Sequence, residues 1–349
     1  MGASPDTVVT VSDMDADARD ERHSRLVGLK LRALVRDHLG DDSVPESVGF
    51  SPGAALIHRD DAWVLLDERP ETRLGAALVW ATRAGARSLQ LIADSGVGTL
   101  ARRGAEFSFP IEVWRVDGRR LVPAVPGPLP VSSPPSPEHE AFRDLIIEGG
   151  AAPIVEHGVL CGEVRGLEVC RVVDDPHQHT VRLEVGVGAH DREAFQMMHG
   201  DVPTVESLAR IVTAVVQHRD MGARPHPLNR LGAERFIRWR IEQAPELVGA
   251  VEIHPAEPPL PRPNLKDPIP CVAAGRDGDG CSVVVVCSSG VDLDLVPFAA
   301  DARLAAEAAE PGIAGGVRLV LAMPSRDRIA ATDEVAALLR RPVEFVSVD

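Results

Sequence analysis

The chain has 349 residues, 44% hydrophobic and 26% charged, and its 37 basic and 52 acidic side chains give a formal net charge of -15. That length exceeds one ordinary core and suits two or three units of roughly 100 to 200 residues. No apolar run approaches the roughly 20 residues that a membrane-spanning helix needs, and the acidic excess repels polyanions except where a local patch reverses the sign.

The opening "MGASPDTVVTVSDMDADARDE" lacks the basic and apolar regions of a secretory signal, so residues 1–22 read as a disordered acidic arm. An amino-terminal α/β lobe is predicted over 23–121. In it an Arg-Asp turn at Arg59 leads into the apolar strand of "HRDDAWVLLD", and Leu74, Leu78 and Ala81 mark a helix over 73–84. The strand "RSLQLIADS", a helix over 98–107 and the strand "PIEVWRVD" follow, the last opened by a proline that ends the helix before it. Residues 122–137 are rich in proline and serine and read as a linker.

A central α+β unit is predicted over 138–257. It opens with a helix carrying Phe142, Leu145 and Ile146 and stopped by Gly149 and Gly150. Two extended runs follow, "GEVRGLEVCRVV" and "HTVRLEVGVG", joined by "DDPHQH". Alternation puts Val181, Leu183, Val185 and Val187 on one face and Arg182 and Glu184 on the other. The tip "HQH" with Asp174 and Asp175 reads as a polar turn in preference to a metal site. A short helix is predicted in "HDREAFQMMHG", and a longer one after it, capped by Thr204, with Leu208, Ile211, Val212, Val215 and Val216 as its apolar stripe.

From Arg219 to Arg240 six arginines stand against Asp220 and Glu234, a local balance of +4. The stiff loop "RPHPLNR" leads into a helix on which Arg235 and Arg238, and Phe236 and Trp239, lie three apart. Arg224, His226, Asn229, Arg230 and Arg235, with Lys266 on the second stiff segment "PPLPRPNLKDP", suit a phosphate- or carboxylate-bearing ligand or a nucleic acid. The alternative is that these arginines pair with neighbouring acids and tie the middle unit to the flanking lobes. With no tyrosine and 3% aromatic residues, stacking of single-stranded bases is poorly provided for.

The carboxy-terminal α/β lobe, over 258–349, repeats the grammar of the first. An Arg-Asp turn leads into "GCSVVVV", an alanine-rich helix follows over 293–309, then the strand "VRLVLAMPS", a helix over 329–341 and the strand "PVEFVSVD". The order hairpin, helix, strand, helix, strand therefore occurs twice, by internal duplication or by convergence of short α/β segments. The predicted fold class is α/β, with two similar mixed-sheet lobes flanking a central helix-strand-strand-helix unit. Cys161, Cys170, Cys271, Cys281 and Cys287 are an odd set without Cys-x-x-Cys, which predicts free thiols in a reducing cytoplasm.

This layout resembles the restriction-endonuclease-like fold of the PD-(D/E)XK nucleases. The last segment resembles the end of the mismatch endonuclease family of actinobacteria and archaea. The resemblance covers about 75 residues at each end and implies a strand ending in Glu-x-Lys, with acidic residues holding Mg²⁺ and the lysine poising a water. Here that strand reads Val286-Cys287-Ser288, the amino-terminal copy offers Asp67 and Glu68 followed by Pro70, and neither has the lysine.

The central unit also follows the nuclease-core order, with Glu148, Glu168 and Glu184 at the carboxylate positions, yet its third strand reads Glu184-Val185-Gly186. Pairing of these glutamates with Arg165, Arg171 and Arg182 on a sheet face is the simpler reading. No GxxxxGK[ST], GxGxxG or GxSxG motif is present. The expectation is a cytoplasmic, non-catalytic binding or scaffolding protein with degenerate nuclease-like lobes, no cofactor and an anion site at the basic island, open to a protein partner and without a membrane role. A Mg²⁺-dependent nuclease using the central glutamates is the alternative.

Overall fold

A computed structural model describes residues 11–175, 180–188, 191–193, 205–220, 226–261, 269–310 and 316–349. It divides into two compact units, residues 1–128 with 337–341, and residues 129–336 with 342–349. The folding class is α/β, with three sheets among the described residues.

In the first unit, α1 (Val11–Leu39) precedes six strands that lie side by side in chain order: β1 (Val48–Gly49), β2 (Gly53–His58), β3 (Asp61–Leu66), β4 (Ser88–Ala93), β5 (Ile111–Asp117) and β6 (Arg120–Pro123). The parallel pairs β3/β4 and β4/β5 need crossovers, supplied by α2 (Leu74–Arg83) and α3 (Val97–Gly104). One stripe of α1, Val27, Leu31, Leu34 and Val35, is buried against Leu56, Trp63 and Leu65 of the β2/β3 hairpin. The acidic arm expected over 1–22 is thus helical from Val11. Nothing from there to Leu39 interrupts a helix except Gly28, where an added Cβ would lie 2.4 Å from Ser47 Oγ, and the packed stripe supplies the tertiary support that propagates a helix outward. The expected linker is also shorter, since residues 122–128 belong to the first unit, where Arg102 donates to the carbonyls of Gly127 and Pro128.

The second unit opens with α4 (Pro137–Glu140) and α5 (Arg143–Glu148), then an antiparallel sheet of β7 (Ala152–Glu156), β8 (Val159–Val164), β9 (Leu167–Asp175) and β10 (Thr180–Val185), followed by α6 (Val205–His218) and α7 (Ala233–Gln243). The run "GEVRGLEVCRVV" is not one strand but a hairpin turning at Arg165-Gly166, and β7/β8 turns at His157-Gly158. All four turn residues have positive φ, between 50° and 76°, as two-residue hairpin turns matched to strand twist require. The helix expected in "HDREAFQMMHG" and the cap at Thr204 fall mostly or wholly outside the described residues.

The third sheet runs β11 (Glu252–Ala256), β12 (Cys271–Arg276), β13 (Ser282–Cys287), β14 (Arg318–Met323) and β15 (Glu344–Ser347), with α8 (Leu295–Ala309) and α9 (Ala330–Ala337) as its crossovers. Its order β12-β13-β14-β15 has the pairing sense of β2-β3-β4-β5, an antiparallel hairpin and then two parallel pairs. The likeness extends upstream: β1 and β11 each add an antiparallel edge, and α1 and α7 each pack on the sheet that follows them.

Candidate functional site

The four-stranded sheet has two unlike faces. Leu160, Val164, Leu167, Val169 and Val172 enter an apolar core with Ile146 of α5 and Leu208 and Val215 of α6. Glu163, Glu168 and Arg171 carry charge on the other side. A register shift at Gly162/Glu163 lets Glu163, Glu168 and Arg171 share the second face, which α7 approaches. Gly166 makes that approach possible: besides its φ of 75°, a Cβ there would lie 2.2 Å from the Arg235 carbonyl oxygen.

Across this contact Arg235 donates to Glu163 and Glu156. Arg238 donates to Glu163, to Glu156 at 3.4 Å and to Glu242 at 3.0 Å. Arg235 is 3% exposed, Arg238 1% and Glu163 3%, so these charges are neutralised by one another and not by water. Burial pulls the Arg235 pKa down, and Glu163 and Glu156 more than offset that, leaving it above the ordinary arginine value. Burial raises the Glu242 carboxyl against the opposing influence of Arg238. On its other side α7 sends Ile237 and Ile241 into the core of the third sheet, beside Cys271, Val285 and Cys287.

The network continues along the strands. Arg171 holds Glu168 with two bonds of 2.9 and 2.8 Å, Arg192 reaches both Glu168 and Glu184, and Arg182 joins Glu184 to Asp175. Two of the expected pairings are therefore present, Glu168 with Arg171 and Glu184 with Arg182. Arg165 instead bonds the Arg219 carbonyl, pairs with Asp220 and lies over the Trp239 ring.

As ligands of a catalytic metal, Glu148, Glu168 and Glu184 are not brought together. Glu148 is exposed at the end of α5, on the apolar side of the sheet, while the oxygens of Glu168 are occupied by guanidinium groups. Among the described residues no group of three or more His, Cys, Asp or Glu is placed to hold a metal ion. Asp174 pairs with His139 at 2.9 Å, and residues 176–179 of the "HQH" tip lie outside the described residues.

The basic island is mostly internal. Arg219 donates to the carbonyls of Arg165, Leu228, Leu231 and Gly232 and lies over the Phe236 ring, and Arg240 donates to the Asp349 carbonyl. His226 accepts from Leu228 N–H through Nδ1 and stacks on His218 at 4.0 Å between ring centroids. Asn229 is half-buried, with no hydrogen-bond partner for Oδ1. Arg230 is exposed and makes no ion pair among the described residues. Arg224 and Lys266 lie outside the described residues. Arg235, read from sequence as an open anion ligand, is instead spent on Glu156 and Glu163.

Sequence reasoning did not single out Glu156, Glu163, Arg192 or Glu242. The available signal was the pair of X-Gly dipeptides at 157–158 and 165–166, which fold the strands so that both glutamates meet α7.

The chain matches no protein-family model, no curated protein and no solved structure.

Proposed function

We propose that this chain is a non-catalytic binding or scaffolding protein in which the central charged sheet face has a structural and ligand-receiving role. The supporting observation is that, of the three glutamates a nuclease would need, Glu168 and Glu184 are bonded to arginines and Glu148 stands apart from them on the apolar side of the sheet. A carboxylate whose charge is already matched by guanidinium groups holds Mg²⁺ only in competition with them, and leaving a buried arginine unpaired costs several kcal/mol. The shared order of the first and third sheets, and the buried Val286-Cys287-Ser288 where Glu-x-Lys is implied, fit a duplicated, nuclease-like lobe that has lost its chemistry. Anion binding belongs to the same reading, with Arg230 as the exposed remnant of the island.

Purified protein incubated with plasmid and mismatched duplexes plus Mg²⁺ or Mn²⁺ should leave both substrates intact. Cleavage that disappears in Glu168→Gln or Glu184→Gln would install the nuclease reading in its place.

A further inference from the structure

A cavity of about 220 Å³ opens on the charged sheet face, between the β7/β8 turn and α7, walled by Arg171, Arg235, Glu156 and Glu168 with Val159 and Pro261 at its apolar side. Its wall holds a buried donor without an acceptor, although every carboxylate oxygen on it is already engaged. Both oxygens of Glu168 already accept, from Arg171 and Arg192, and both oxygens of Glu156 accept, from Arg235 and Arg238. The donors are not used up. Arg235 Nε is buried and has no acceptor, and Arg171 binds Glu168 through Nε and Nη2, leaving Nη1 without an acceptor among the described residues. His157, also on the wall, has a buried Nε2 with no partner, while its Nδ1 stands 3.5 Å from Glu257. Buried polar groups are normally satisfied, so an orphan arginine donor on a cavity wall marks a place for an acceptor.

We infer that this cavity takes the carboxylate of a small monoacid. This rests on the binding reading above and moves the anion from the island to the sheet face. The charged residues of the wall itself are Arg171 and Arg235 against Glu156 and Glu168, with Glu257 beside His157, so the wall has no cationic excess. Such a wall with spare donors admits one negative charge more readily than the two of phosphate. The planar fork of arginine also matches a carboxylate. By the roughly 30 Å³ that each liquid water occupies, the space holds about seven non-hydrogen atoms, below the range of drug-sized pockets. Val159 and Pro261 then face a short apolar tail.

The test titrates the full chain calorimetrically with propionate, butyrate, propionamide and inorganic phosphate. Arginine side-chain ¹⁵N spectra follow the Nε–H of Arg235. Propionate or butyrate should bind, move that resonance, and lose tenfold or more in affinity in Val159→Trp, which fills the cavity, and in Arg171→Gln. Propionamide and phosphate should bind at least tenfold more weakly, and Arg230→Ala should bind like the wild type. Carboxylate binding that survives both cavity variants but falls in Arg230→Ala would overturn the cavity assignment and leave the binding reading standing. Phosphate preferred over carboxylate, no response to any probe, or an unmoved Arg235 signal would each overturn it too. Nuclease activity, by contrast, would strike the functional reading itself.

Discussion

Cys170 packs against Gly162, where a side chain would meet its sulfur, and burial pushes the Cys170 thiol up to about 12. Burial likewise raises Cys161 and Cys287 well above the ordinary thiol value, Cys287 with a contribution from Cys271 beside it. At pH 8 a thiol with a pKa near 12 is thiolate in only about one molecule in 10⁴, so these cysteines should be inert. Cys281, half-exposed in the β12/β13 turn, should carry the first label when native protein is treated with iodoacetamide and mapped by mass spectrometry. Rapid labelling of Cys161 or Cys170 without denaturant would contradict the packing. The sign for stability follows from the same shift. The folded state keeps a proton that the unfolded chain releases above about 8.5, so this contribution is intact below that pH and is lost as pH rises toward 12.

At the scale of elements, α7 is amphipathic in an unusual sense: isoleucines on one side enter the third sheet, arginines on the other are buried among glutamates of the second. Glu163→Gln keeps the volume but leaves Arg235 and Arg238 competing for Glu156, and breaking a buried pair costs about 3 to 5 kcal/mol. Urea titration should show that loss, whereas an exposed pair such as Arg328–Asp333 should cost under about 1 kcal/mol when removed. Gly166→Ala should destabilise as well, through its positive φ and the Arg235 carbonyl in its path. The hairpin, helix, strand, helix, strand order of both outer sheets was legible because each element carries its own periodicity and its own Pro or Gly boundary. The α7 contact was not legible. Arg235 and Glu163 lie 72 residues apart, and what pairs them is a glycine turn and a register shift that no hydrophobic pattern announces. The same limit explains the island: a local balance of +4 looks like an open anion site until the strands opposite it are folded into place.

For the whole molecule the decisive quantity is the sign of the charge that a polyanion meets. The net charge is -15, and of the described island arginines Arg219, Arg235, Arg238 and Arg240 are held by carbonyls or carboxylates. Phe236 and Trp239, stacked on each other at 5.5 Å, are covered by Arg219 and Arg165 and so are not free platforms for bases. Polyanion affinity comes mainly from counterion release by phosphate-contacting cations and scales with their number. Among the described island arginines Arg230 supplies at most one such contact, too few to overcome the repulsion of the rest. Gel-shift or anisotropy titration at 50 mM salt with duplex and single-stranded DNA should therefore give no binding at micromolar protein. A salt slope of several units would mean that a cationic surface forms elsewhere on the chain. Small acids obey a different balance, because one carboxylate in the cavity meets spare donors at short range and is insensitive to a diffuse field that salt screens within about 10 Å. Carboxylate affinity should accordingly change little between 50 and 200 mM salt, the opposite of what an exposed arginine patch would show.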